Sequence, residues 1–151
     1  MNVYRSTKIL SGYSVALRQH KAKHSHCSLL HGYALEFKIW FSTEKLDDMN
    51  WVVDFGGFGH MGLKKWMDDM FDHTLLLEKD DPFLDFFQSA QSSGICKVIT
   101  LEKMGCESLA KLVFDKFNDT LSKQDGGRCF VTKVEVFENN KNSAIYEVSN
   151  K

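Results

Sequence analysis

The stretch Ala34–Phe41 has an alternating pattern with one uniformly apolar face, and this pattern constrains the fold more than any other. One face of the segment carries four large apolar side chains: Leu35, Phe37, Ile39 and Phe41. The other face carries the charged residues Glu36 and Lys38. Because the side chains of a strand point alternately to its two faces, the pattern predicts a β-strand with one face in a hydrophobic core. A chain with such a strand has to build a sheet and cover one side of it.

Two longer segments have the spacing of an amphipathic helix. Apolar residues recur every three to four positions in Gly62–Phe71, and again in residues 105–121 after the start at Gly105-Cys106-Glu107. The dipeptide Asp81-Pro82 is typical of a helix start, so a short third helix is expected through Gln88.

Further strands are expected on both sides of the second long helix. One is predicted at Ile95–Leu101, and the last strand is predicted at Cys129–Glu138, after a turn at Gly126-Gly127. The chain contains no repeat, low-complexity tract or linker, so residues 1–151 are predicted to form a single domain.

Charge and composition exclude several classes of function. The net charge of −1 provides no electrostatic footprint for nucleic acid or for an anionic membrane surface. No apolar run approaches the roughly 20 residues that span a bilayer, and the first residues lack the apolar core of a signal peptide. The four cysteines form no CxxC pair, which is typical of reduced thiols. A cytoplasmic protein without a membrane or nucleic-acid partner is therefore expected.

A thiol and an imidazole lie just before the alternating strand. Cys27 precedes His31 by four residues, and Gly32 lets the backbone turn tightly beside the imidazole. The pair is therefore expected at the mouth of the sheet, where it could transfer protons or bind a metal. The alternative is a chance pairing without function, and the segment alone does not separate these interpretations.

Two glutamates stand at the ends of predicted elements. Glu138 follows four apolar or neutral residues on one face of the last predicted strand: Phe130, Thr132, Val134 and Val136. A carboxylate in that position either reaches solvent or binds a ligand. Glu107, at the start of a helix, either interacts with the helix dipole or lines a pocket.

Five fragments of the chain occur in the order and approximate spacing of a known family: Cys27–Tyr33, Trp51–Phe55, Phe71–His73, Cys106–Ala110 and Val134–Glu138. Through these fragments the chain resembles the 6-pyruvoyltetrahydropterin synthase / 6-carboxytetrahydropterin synthase family. The resemblance implies the α+β tunnelling fold, in which an antiparallel sheet carries two main helices on one face. Subunits of this fold join their sheets side by side into an oligomeric barrel, so a homo-oligomer is expected, with a homohexamer as the family precedent.

The resemblance also implies roles for five residues. Cys27 would be the catalytic base, and Asp72 and His73 would form a proton relay with it, often across a subunit boundary. Glu107 and Glu138 would bind the pterin ring, because the two oxygens of a carboxylate match the adjacent N–H donors of its amino-pyrimidinone edge. Without the resemblance, Asp72 and His73 could equally be a surface pair at the end of a helix.

The metal site of the family is altered in this sequence. The family holds zinc with three histidines, and the corresponding positions here are Leu17, His31 and Tyr33. One imidazole does not make a catalytic zinc site, which needs three protein ligands. Three loop histidines could supply replacements or be ordinary loop residues: His20, His24 and His26. The predicted re-sited zinc ligands are His31, His24 and His26.

The resemblance therefore predicts a lyase of the 6-carboxytetrahydropterin synthase type. Its substrate would be 7,8-dihydroneopterin triphosphate, on the route to 7-deazaguanines such as queuosine. Two alternatives stay open. A metal-independent enzyme like dihydroneopterin aldolase would not need the missing zinc ligands, and a non-catalytic pterin- or purine-binding protein would keep Glu138 without turnover.

Overall fold

The computed structural model describes residues 2–149, which contain six β-strands and three α-helices. The strands are β1 (Tyr4–Leu17), β2 (His31–Thr43), β3 (Thr74–Glu78), β4 (Val98–Leu101), β5 (Phe130–Phe137) and β6 (Ser143–Glu147). The helices are α1 (Leu63–Phe71), α2 (Leu84–Ser92) and α3 (Cys106–Asp125). The strands join into a sheet in the order β4-β3-β1-β2-β5-β6. Within the described range, none of these helices has the length and apolar character needed to cross a membrane.

Strand β2 has the two faces that the sequence predicts. Its four inward side chains are completely buried: Leu35, Phe37, Ile39 and Phe41. The strand pairs antiparallel with β1 on one side and with β5 on the other. Since full burial of a large apolar side chain contributes about 1.5–3 kcal/mol, this strand determines which face of the sheet forms the core.

Helices α1 and α3 cover the core face, as predicted. Phe71 of α1 packs against Phe37, with ring centroids 4.7 Å apart. Phe117 of α3 packs against Phe41, with centroids 6.2 Å apart. Both helices therefore bury their apolar stripes against the same strand.

The predicted start of the short helix at Asp81-Pro82 is wrong by two to three residues. Helix α2 begins at Leu84, because the Asp81 side chain is used in the turn before it. One Asp81 oxygen accepts the backbone N–H of Phe83 at 2.9 Å, and the carboxylate also binds the Arg18 guanidinium at 2.7 and 3.1 Å.

Strand β3 is absent from the predicted elements, and it makes the sheet mixed rather than antiparallel throughout. All five residues of Thr74–Glu78 are buried, so the segment lacks the alternation that marks a half-exposed strand. It runs parallel to both β1 and β4. Strand β4 is also shorter than the predicted Ile95–Leu101. The antiparallel part of the sheet consists of β1, β2, β5 and β6.

Strand β5 is not the last strand, because β6 pairs antiparallel with its outer edge. A bulge opposite Trp40 and Phe41 shifts the register of β5 near its start. As a result, Val131 faces the core together with Val134 and Val136, and the prediction that Phe130 and Thr132 share the face of these two valines is wrong.

Candidate active site

A cavity of about 220 Å³ lies where the ends of several elements meet. It is bounded by the end of β1 and the loop after it, the start of β2, the start of α3 and the turn between β5 and β6. Seven lining residues carry polar or reactive groups: Gln19, Cys27, Tyr33, Cys106, Glu107, Glu138 and Ser143. Three of the predicted site residues therefore lie together at one cavity.

Cys27 is held at the cavity by a hydrogen-bonded loop. It lies in a short 3-10 turn, and the Ser25 hydroxyl accepts its backbone N–H at 3.2 Å. The Cys27 carbonyl accepts the backbone N–H of Gln19 at 2.8 Å. The Gln19 side chain in turn donates to the carbonyl of Met104 at 3.2 Å. The loop is thus tied to the end of β1 and to the segment before α3, which fixes the position of the thiol.

His31 and Tyr33 are hydrogen-bonded to each other at the start of β2. Nδ1 of His31 lies 2.7 Å from the carbonyl oxygen of Leu29, and this ring nitrogen carries the proton because a carbonyl only accepts. The other ring nitrogen, Nε2, lies 3.2 Å from the Tyr33 hydroxyl. Burial, followed by the neighbouring Glu138 carboxylate, raises the pKa of Tyr33. Tyr33 is therefore a neutral phenol that can donate to either neighbour at neutral pH.

Cys106 and Glu107 enter the cavity from the first turn of α3. Gly105 precedes them with φ of 131°, in the region that favours glycine. A Cβ at this position would lie 3.3 Å from Nε2 of Gln19 and 3.4 Å from Oε2 of Glu107. The glycine therefore allows the close approach of the Cys27 loop to the start of α3.

Cys106 is a cavity residue that the sequence analysis missed. Burial, and next the charges of Glu138 and Glu107, raise the pKa of Cys106 to about 12. The thiol therefore stays neutral at neutral pH and is unsuited to act as a base. Its place could not be read from the sequence, because it depends on burial beside two carboxylates from separate elements.

The cavity is electronegative. Glu107 and Glu138 both line it, and none of its described lining residues is a lysine, arginine or histidine. A site of this charge favours a ligand that presents N–H donors, since each carboxylate accepts two hydrogen bonds in a fixed geometry. Cys27 lines the same cavity as these two carboxylates.

Asp72 and His73 lie outside this cavity, directly after α1. His73 has φ of 56°, and its backbone N–H donates to the carbonyl of Ser14 at 2.7 Å. Its side chain is 82% exposed, with Nδ1 3.0 Å from a carboxylate oxygen of Asp72. The two side chains thus contact each other, whereas neighbours inside a helix diverge. A single chain does not bring them to Cys27, and their role as a relay stays a prediction.

The residues at the zinc positions of the resembled family do not fit a zinc ion. Leu17 is 3% exposed and packs in the core, where it offers no donor atom. Tyr33 stays protonated because its pKa is raised, and a protonated phenol is a poor zinc ligand compared with the imidazole of the family position. His31 alone retains a suitable donor.

The loop histidines are not gathered around His31. His24 and His26 are exposed. Among residues 2–149, the single group of three side chains with the spacing to hold a metal ion is His20, Glu78 and Asp80. The structure therefore does not bring His24, His26 and His31 to one ion, and that ligand set stays a prediction.

Comparison with known proteins identifies the family. A family model described as 6-pyruvoyl tetrahydropterin synthase matches residues 7–149. The 6-carboxy-5,6,7,8-tetrahydropterin synthase of Rickettsia conorii is 35% identical over 71 residues, which are 47% of either chain. The synthases of Rickettsia felis and Rickettsia typhi match over similarly short stretches. In all three cases the match spans less than half of this chain and less than half of the relative.

Solved structures show the same fold. An uncharacterized protein of Wolinella succinogenes has a TM-score of 0.80 at 16% identity, with 99% of this chain and 100% of that chain covered. The 6-pyruvoyl tetrahydropterin synthase of Caenorhabditis elegans has a TM-score of 0.63 at 19% identity, with 99% and 98% covered. The predicted tunnelling fold is therefore confirmed. Because the family model matches residues 7–149 of the 151 residues, the chain belongs to the 6-pyruvoyl tetrahydropterin synthase family.

Proposed function

We propose that the protein is a cytoplasmic lyase of the 6-carboxytetrahydropterin synthase type that acts on 7,8-dihydroneopterin triphosphate. The observation that carries the proposal is the common cavity of Cys27, Glu107 and Glu138. The curated relatives named 6-carboxy-5,6,7,8-tetrahydropterin synthase support this choice within the family. The proposed product is an intermediate on the route to 7-deazaguanines such as queuosine.

The two glutamates bind the pterin ring in this proposal. Their carboxylates accept the N–H groups of the amino-pyrimidinone edge, and hydrogen bonds to a charged acceptor contribute about 1.5–3 kcal/mol each. Tyr33 is a neutral neighbour of Glu138 in the cavity wall, and the Glu138 carboxylate contributes to its raised pKa. The cavity, at about 220 Å³, is smaller than the roughly 300–1,000 Å³ of complete ligand sites. It therefore suits the flat ring, while the triphosphate-bearing side chain extends through the mouth.

Cys27 is the proposed base for the side-chain chemistry. The reaction breaks a carbon–oxygen and a carbon–carbon bond of the substrate side chain, and both steps need a proton taken from one atom and returned to another. Cys27 faces the cavity, whereas Cys106 is held neutral beside it. Asp72 and His73 are proposed to complete the relay from a neighbouring subunit, since their exposed side chains are open to a second chain of a homo-oligomer, in the family precedent a homohexamer.

The altered zinc positions favour a second candidate function. A metal-independent aldolase-like reaction on dihydroneopterin would break the side-chain carbon–carbon bond by proton transfer alone. The absence of zinc ligands at Leu17 and Tyr33 would then not prevent activity, because that chemistry uses no metal ion.

One experiment separates these functions. Untagged protein, freed of metal and then assayed with and without added zinc, is incubated with 7,8-dihydroneopterin triphosphate and with dihydroneopterin, and the pterins are identified by chromatography and mass spectrometry. Formation of 6-carboxytetrahydropterin from the triphosphate supports the leading proposal. Side-chain cleavage of dihydroneopterin without metal supports the aldolase-like one. Binding of both compounds with no turnover would contradict both and leave a non-catalytic pterin-binding protein. The Cys27→Ala variant is the control for contaminating activity.

A further inference from the structure

A second cluster of ionisable side chains lies behind the loop that carries Cys27. His20, Glu78 and Asp80 each offer one ligand atom, and these atoms all lie within 4.8 Å of one another. Nδ1 of His20 is 3.6 Å from Oε2 of Glu78, and Nε2 is 3.9 Å from an Asp80 oxygen. Only one of the two ring nitrogens can bind a given ion, and donor atoms that share a zinc ion at about 2.0–2.1 Å are roughly 3.3 Å apart. The widest separation in the set would therefore have to shorten by up to about 1.5 Å on binding.

Two atoms of this cluster are buried without a hydrogen-bond partner. They are Nδ1 of His20 and Oε2 of Glu78, and they face each other. The side chains of His20 and Glu78 are only 9% and 8% exposed. A buried polar atom that is left unpaired costs free energy, which makes such atoms a marker for a missing ion or ligand. Nδ1 of His20 is therefore the convergent atom without a partner among the described residues, whereas Oε2 of Glu78 is approached by the exposed Lys21 ammonium group at 3.2 Å.

The cationic side chains that contact the carboxylates in and beside the cluster are Arg18 and Lys21. Arg18 neutralises the adjacent Asp81, whose carboxylate it binds at 2.7 and 3.1 Å. Lys21 faces the two remaining carboxylates, at 3.2 Å from Glu78 and 3.0 Å from Asp80. These two carboxylates therefore share one ammonium group, with the His20 imidazole beside them. The Lys21 side chain is 55% exposed, so it can move into solvent when another cation takes its place.

Hydrogen bonds connect the cluster to the candidate active site. Oε1 of Glu78, the oxygen that points away from His20, accepts the backbone N–H of Met104 at 3.1 Å. Gln19, next to His20 in sequence, holds the Cys27 carbonyl and the Met104 carbonyl. An ion bound here would therefore clamp the Cys27 loop, β3 and the segment before α3 to one another.

We propose that His20, Glu78 and Asp80 bind a divalent first-row transition metal, with zinc as the preferred ion. One imidazole and two carboxylates suit zinc, and the exposed Asp80 leaves a coordination position open to water. The site is distinct from the cavity of Cys27, and its role is to fix the cavity walls. It is independent of which pterin reaction the protein catalyses.

The test is a titration of Zn²⁺, and of Co²⁺ as a spectroscopic substitute, into the untagged metal-free protein. Calorimetry gives the affinity, and the visible absorption of bound Co²⁺ reports its ligands. Wild-type protein is expected to bind about one ion per chain, with a rise in melting temperature. Asp80→Asn and His20→Asn should each weaken binding by at least about tenfold. Asp80→Asn is the decisive variant because Asp80 is exposed, so its replacement leaves the fold intact.

Lys21 provides a matched pair of variants. Lys21→Met removes the competing ammonium group and should tighten metal binding several-fold, whereas Lys23→Met, an exposed lysine two residues away, should leave it unchanged. The proposal is overturned if wild-type protein binds neither ion at millimolar concentration, or if His20→Asn and Asp80→Asn bind like wild type. It is also overturned if binding is lost in His24→Ala and His31→Ala instead, which would support the re-sited set around His31.

Discussion

Leu17 and His31 are directly opposite each other in the antiparallel ladder of β1 and β2. Opposed residues of a ladder share a face, with their Cβ atoms about 4.5–5.5 Å apart, so the side chain at position 17 faces the imidazole. Tyr33, two residues on, shares this face and contacts His31 through its hydroxyl. The backbone therefore keeps a geometry in which three side chains converge, while two of the three lack a zinc-binding donor.

This geometry predicts that zinc binding can be restored at the converging positions. Leu17→His with Tyr33→His should create a site of three imidazoles and bind zinc, whereas either single change should not. The measurement is zinc titration in an Asp80→Asn background, which removes the proposed second site. If the double variant fails to bind zinc although it folds, the three side chains do not converge as the ladder implies.

Glu138→Gln should weaken binding of a reduced pterin by about 1.5–3 kcal/mol, because an amide replaces a charged acceptor of two N–H groups. The melting temperature should change little, since Glu138 is only partly buried and lies beyond the end of β5. Glu135→Gln is the matched control: its carboxylate accepts the Ser143 hydroxyl at 2.7 Å on the other face of the same strand. Calorimetric titration measures the affinity of each variant for the reduced pterin. Equal affinities of Glu138→Gln and Glu135→Gln would place Glu138 outside the binding site.

Alkylation should distinguish Cys27 from Cys106 and Cys129, the two cysteines with a raised pKa. The thiolate is the reactive form, and burial raises the pKa of both Cys106 and Cys129 to about 12. Iodoacetamide at mildly alkaline pH should therefore modify Cys27 while those two remain intact, as measured by peptide mass spectrometry.

Cys27→Ala should abolish turnover and retain pterin binding, whereas Cys96→Ser, outside the cavity, should keep most activity. Earlier labelling of Cys106 than of Cys27 would contradict the assignment of the base.

Stability should fall in alkaline solution. The ordinary pKa of a cysteine is 9.0, so the unfolded chain releases the protons of Cys106 and Cys129 well below pH 12, where the folded protein still holds them. Between these values the unfolded chain binds fewer protons, and the free energy of unfolding therefore decreases as pH rises. Each thiol contributes at most about 1.4 kcal/mol per pH unit. Melting curves at increasing pH should show a smaller slope for Cys106→Ala than for wild type, and equal slopes would contradict the buried environment of this thiol.

Elements with their own periodic pattern could be predicted from the sequence, and those defined by distant contacts could not. The alternation of Ala34–Phe41 identifies β2 because one side of that strand is buried and the other is not. Thr74–Glu78 is buried on both sides, so its apolar run gives no period, and β3 is recognisable only once β1 and β4 flank it. The bulge that turns Val131 inward depends on β2 and is likewise invisible in the sequence of β5.

The residues of the candidate site likewise include some that the sequence indicates and others that only tertiary contacts define. Cys27, Glu107 and Glu138 were accessible through the family fragments, and they line one cavity. Nothing local marks Cys106 as their neighbour. His20 and Glu78 are far apart in sequence, and only the parallel pairing of β1 with β3 brings the loop after one strand to the end of the other.

Mixing of two inactive variants should test whether the relay crosses a subunit boundary. Cys27→Ala and His73→Asn are each expected to lack turnover; asparagine is chosen because it tolerates the positive φ at position 73. Since Cys27 lies at the cavity and His73 is exposed away from it, a hybrid oligomer can pair an intact Cys27 of one chain with an intact His73 of the next. After subunit exchange at equal amounts, about a quarter of the sites should regain activity if each is shared by two chains.

The matched control for this mixing uses two residues of one cavity. Cys27 and Glu107 line the same cavity of a single chain, so no hybrid of Cys27→Ala with Glu107→Gln contains a cavity in which both are intact. This mixture should stay as inactive as its components, provided that mass spectrometry of the intact assemblies confirms exchange. Recovery in the first mixture alone requires a site shared between chains. If exchange is complete and neither mixture recovers activity, Asp72 and His73 do not serve the Cys27 of a neighbouring subunit.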